Sequence, residues 1–146
     1  MVKLEEKNRE RADEALHLYR CACYFYDSQL QEAVVAEEII PNMNTYSAIM
    51  FINEVQATDS EQHNRRQGTE RVKSFIFDYC IFYLSKNLPV ILRQDQKRML
   101  RLDIDNLFAI VSESLHYIVD ARADQEIILQ FASTVWADKD VAKFLT

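Results

Sequence analysis

The sequence predicts an all-α protein: a single-domain antiparallel bundle of five to six helices around a central apolar helix at about residues 70–86, with the domain spanning 1–146. Three observations predict it. The run Phe75-Ile76-Phe77-Asp78-Tyr79-Cys80-Ile81-Phe82-Tyr83-Leu84 has a single polar residue and polar flanks on both sides, as a helix buried nearly all round would. Apolar residues elsewhere recur at spacings of three and four, the period of a helix face. The chain holds one glycine and two prolines, and it lacks the Asn-Gly or Asp-Gly pairs that tight hairpins use, which disfavours a β or Rossmann-like fold.

The first helix is expected over residues 4–38. Its face is Ala12, Ala15/Leu16, Tyr19, Ala22/Cys23, Tyr26, Leu30 and Ala33/Val34, with Asp27-Ser28 as the place where it could kink or divide. Its first turns, Lys3 to Glu14, are highly charged. Pro41 ends it, because the residue before a proline avoids the α region. Asn44 or Thr45 suits the N-cap of a second helix, about 45–57, with Tyr46, Ile49, Met50 and Asn53 on its face and Phe51, Ile52 and Val55 widening it.

The eleven residues Thr58 to Gly68 contain no apolar side chain and read as a loop. Thr69 is expected to cap the central helix, and Lys86-Asn87-Leu88-Pro89 to close it with a basic last turn, an Asn and then a Pro. Val90-Ile91-Leu92 is then a link. The next helix runs to about 121 with Leu100, Ile104, Leu107/Phe108, Val111, Leu115 and Ile118/Val119 on its face. Asp124 is expected to cap a further helix carrying Ile127/Ile128, Phe131/Ala132 and Val135/Trp136. A last turn capped at Asp138 carries Val141, Phe144 and Leu145.

Charge is segregated along the chain. Residues 1–64 balance at −7, 65–101 at +6 and 102–146 at −5, for a net −6. The acidic total disfavours nucleic acid as a partner, since affinity there rests on neutralising phosphates. The basic middle admits an anionic partner locally. Arg93, Lys97 and Arg101 fall at i, i+4 and i+8, with Arg98 adjacent, and make the best candidate surface for an acidic protein, a phosphate or a phosphoinositide head group. Arg65, Arg66, Arg71 and Lys73 extend it if the loop folds alongside. The competing reading is plain pairing with the acidic first helix, Glu5 to Glu14.

The chemistry-bearing residues form no persuasive catalytic set. His17 and Cys21 share a helix face but lack further ligands for zinc; Cys23 points the other way and Cys80 lies in the apolar run. Neither a metal nor a cofactor is expected. Asp103 and Asp105 lie about 200° apart around a helix and make no carboxylate dyad. His63 reads as solvated. Three cysteines, an odd number, suggest a reducing compartment. Met1 to Lys7 offers no secretory pattern, and the 75–84 run is half the ~20 residues that cross a bilayer. An intracellular, cytoplasmic protein with no transmembrane segment is the expectation.

Two resemblances add to this. Arg11 and His17 form an Arg-x5-His spacing that resembles the motif of HEPN-type helical ribonucleases; that likeness implies a dimer cleft with His17 as acid/base and Arg11 stabilising phosphate charge. The run Met99-Leu100-Arg101-Leu102-Asp103-Ile104-Asp105-Asn106-Leu107, followed by Val111, resembles a pattern near the ends of helical-bundle subunits of vesicle-tethering complexes, with Met99 where those carry Gln.

The reading favoured by the residues is a non-catalytic protein-interaction module, an adaptor or small subunit of a larger assembly, that binds another protein or itself through helical faces. Phe75, Tyr79 and Phe82 share one side of the central helix, while Phe77 and Ile81 lie on another. That surplus makes Phe77 and Ile81 candidate partner contacts. An anion-sensing regulatory domain at the basic stripe is a further alternative.

Overall fold

The structure, a computed structural model, describes residues 2–25, 28–59, 67–118 and 122–137. It is an all-α bundle. Six α-helices and no strand occur among the described residues, and the central helix is the longest of them. The helices are α1 (Val2–Tyr24), α2 (Ser28–Val34), α3 (Thr45–Asp59), α4 (Gln67–Asp95), α5 (Ile104–Tyr117) and α6 (Arg122–Ala137). A π-helical turn, Val35–Ile39, follows α2, and a 3₁₀ segment, Gln96–Arg101, follows α4. The chain packs as two compact units, one ending at Ile81 and one beginning at Phe82, so α4 contributes to both.

In the first unit α1 packs against α2 and α3. Ala12, Ala15, Leu16, Tyr19 and Ala22 are buried at the expected 3–4 spacing. The small alanines let neighbouring helices approach closely. The single long first helix is not what forms: α1 ends at Tyr24 and α2 starts at Ser28. The break resets the phase. Leu30 is 42% exposed, whereas Gln31, Val34 and Val35 are buried. Beyond α2 the Ile40 amide donates to the Val35 carbonyl at 2.9 Å, one residue further back than in an α-helix, and Pro41 has no amide to continue the ladder.

Asn44 caps α3 as expected, its Oδ1 accepting from the Ser47 amide at 2.9 Å. Ala48, Ile49, Phe51, Ile52 and Val55 of α3 are buried, so Ile49 and the three widening residues lie inside as expected, while Tyr46 and Met50 are half-buried and Asn53 is exposed. Tyr19 meets Phe51 edge-on at 5.9 Å between centroids. Arg9 sits over the Tyr46 ring at 4.7 Å and donates to its hydroxyl at 3.1 Å.

α4 corrects two expectations. It starts at Gln67, so Thr69 lies inside the helix, and it runs through Pro89 to Asp95. The physical reason for the second is burial. Leu84, Leu88, Ile91 and Leu92 keep helical spacing across the proline and are 0%, 0%, 4% and 8% exposed. An internal proline costs about 3 kcal/mol. Burying three aliphatic side chains beyond residue 86 contributes roughly 1.5–3 kcal/mol each, which outweighs it.

The stretch Arg71–Arg101 also has the length and mean hydropathy, 1.3, of a membrane-crossing helix by composition, with half of its apolar window buried in the chain itself. That length exceeds the ten-residue run on which the sequence argument rests. Its partition is amphipathic: Ile76, Cys80, Leu84, Leu88 and Ile91 are buried, while Asp78 and Lys86 are exposed.

In the second unit α5 packs against α6. Leu107, Ile110 and Val111 from α5 and Ile128, Phe131 and Val135 from α6 are buried, with Met99 and Leu102 from the connection. The expected helix from Leu100 to 121 is shorter. Asp103 caps α5 by accepting from the Asn106 amide at 2.9 Å, and Leu100 and Phe108 stay exposed. Asp124 lies in the first turns of α6, not at its cap, because the helix starts at Arg122. The expected loop, Thr58 to Gly68, is shorter at both ends, because α3 runs to Asp59 and α4 starts at Gln67; its remaining residues, 60–66, and the last turn from Asp138 lie outside the described residues.

Candidate functional site

A polar cluster in the first unit joins α1 to α3, with the Lys73 charge of α4 acting on it. Arg20 reaches from α1 to Glu54 on α3. Its Nε donates to Oε1 and its Nη2 to Oε2, each at 2.8 Å. This two-bond pairing holds the Glu54 carboxyl below the usual carboxylate range, against the opposing effect of burial; the Arg20 and Lys73 charges lower it further. Lys73, from α4, is only 3% exposed. A lysine is seldom so buried unless its charge is answered, and Glu54 supplies an opposite charge nearby.

The cluster also touches Cys23 of α1. Burial pushes its thiol up, and a hydrogen bond with Tyr19 and the Lys73 charge oppose that rise. A thiol held protonated is a poor nucleophile.

A different feature suits binding. An open apolar groove of about 340 Å³ is lined by Glu32, Val35, Ala36, Ile40, Arg71, Val72 and Phe75. One wall is α2 with its π turn and the other is the start of α4. Arg71 Nη2 spans the groove to Glu32 Oε1 at 3.3 Å, both side chains being well exposed. Phe75 is 50% exposed and stacks on Tyr79, with centroids 6.4 Å apart and planes 21° from parallel.

The sequence candidates fall as follows. Arg93 lies in the last turn of α4 and pairs with Asp124 of α6. Arg98 Nε lies 3.4 Å from Asp95 Oδ2, and Asp95 also caps the 3₁₀ segment by accepting from the Lys97 amide at 3.1 Å. Lys97 and Arg101 lie in that 3₁₀ segment, exposed. The four residues therefore do not share one α-helical face, since the four-residue spacing crosses from α4 into a tighter helix. Ile81 is 9% exposed and Phe77 half-buried; the exposed aromatics of α4 are Phe75 and Phe82.

No family model, curated protein or solved structure matches the chain.

Arg11 and His17 are both exposed on α1, about 120° apart around the helix. His17 Nε2 lies 3.8 Å from Cys21 Sγ, as the i, i+4 spacing predicts. Among the described residues no group of three or more His, Cys, Asp or Glu is arranged to hold a metal ion. Sequence reasoning missed the groove and the Lys73–Glu54–Arg20 cluster. The burial of Lys73 follows from helix phase: it sits beside Val72 and one turn from Ile76 on α4, a signal the apolar run at 75–84 obscured.

Proposed function

We propose that this chain is a non-catalytic helical interaction module, acting as an adaptor or small subunit through its apolar helical faces. The observation that carries the reading is aromatic surface in excess of what the chain's own helices cover. Tyr24 is 76% exposed, Phe25 68%, Phe108 53%, Phe75 50% and Phe82 40%. Scattered apolar residues are ordinary on any surface. Here the aromatics pair with one another at the surface: Tyr24 meets Phe25 edge-on at 5.3 Å, and Phe82 meets Tyr117 at 5.7 Å. Paired exposed rings supply contact area at low entropic cost, which is why interfaces are rich in them.

Size-exclusion chromatography with light scattering, run on the protein alone and after co-purification from a native extract, tests the reading. The expected result is a mass above that of the monomer or a partner at fixed stoichiometry, lost in a Tyr24→Ser/Phe25→Ser or Phe75→Ser variant. A strictly monomeric protein with no stoichiometric partner overturns it.

A further inference from the structure

We draw no further inference here: the strongest candidate, the open apolar groove between the π-turned end of α2 and the start of α4, has its lining acid, Glu32, already paired with its lining cation, Arg71, and nothing in the structure shows what covers it.

Discussion

Arg20 and Glu54 meet through two parallel hydrogen bonds of 2.8 Å that tie α1 to α3, with Lys73 of α4 buried close by. Arg20 is 58% exposed, so its removal is screened by water; Arg20→Ala is expected to cost about 1 kcal/mol. Glu54 is 16% exposed, and its loss strips a buried lysine of a counter-charge. Glu54→Ala is expected to cost more, about 2–3 kcal/mol. The pH dependence has a definite sign. The folded carboxyl sits below its ordinary value, so its stabilisation is complete above the ordinary carboxylate pKa and is lost as pH falls through the lowered folded value. Urea melts between about pH 6 and pH 3 should show the wild type losing more stability than Glu54→Gln. Parallel curves would exclude the coupling.

The three thiols are expected to react in a fixed order. Cys80 is buried, and burial pushes it up to about 12, leaving almost no thiolate at neutral pH. Cys21 and Cys23 are both half-buried, but burial raises the Cys23 thiol, while Cys21 lies beside His17. A pulse of iodoacetamide followed by peptide mass spectrometry should label Cys21 first, Cys23 more slowly, and Cys80 only when the first unit opens. Native-state labelling of Cys80 as fast as Cys21 would contradict the burial.

Two aspartates near helix starts do different work, and mutation should separate them. Asp103 accepts the Asn106 amide and caps α5, so Asp103→Ala is expected to cost about 1 kcal/mol, with most of it restored by Asp103→Ser. Asp124 pairs instead with Arg93, a partly exposed contact, and Asp124→Asn is expected to cost under about 1 kcal/mol. Thermal denaturation monitored by circular dichroism decides both. A larger effect at Asp124 than at Asp103 would reverse the assignment.

How much of this was legible depended on whether the signal was local. The all-α class, the Asn44 cap and the Ala12–Ala22 face are set by neighbours in sequence, and they appear as read. The division after Tyr24 was signalled only by Asp27-Ser28, and its consequence, the exposure of Leu30, needs the phase reset that no periodicity count contains. The basic stripe rested on one continuous helix through Arg93, Lys97 and Arg101. Asp95 caps a 3₁₀ segment there, whose tighter winding departs from the α period. The groove was invisible because Ala36 matters for what it lacks. Its neighbours come from residues about 35 positions apart, and only tertiary placement joins them.

A ribonuclease of the kind suggested by Arg11 and His17 needs both side chains at one phosphate. On one α1 they diverge by about 120°, so a second chain would have to complete the pair. The interaction-module reading expects no RNA cleavage above buffer by the wild type, and the same from His17→Ala. Cleavage by the wild type that His17→Ala abolishes would displace that reading.

The continuity of α4 through Pro89 yields the sharpest stability contrast. A helix that stopped at Lys86 would leave Leu88 in a short link, where truncation costs little. In the structure Leu88 is 0% exposed and continues the stripe of Leu84, Ile91 and Leu92, whereas Val90 is 52% exposed on the other side. Leu88→Ala is therefore expected to cost about 2–5 kcal/mol, the range for a buried leucine whose site cannot collapse fully. Val90→Ala, two residues away, is expected to lie within about 0.5 kcal/mol of the wild type. Asn87 Nδ2 donates to the Tyr83 carbonyl one turn back at 2.8 Å, just ahead of the proline. Paired urea titrations of the two variants measure the contrast, and equal, small effects at both positions would place the helix end before Pro89.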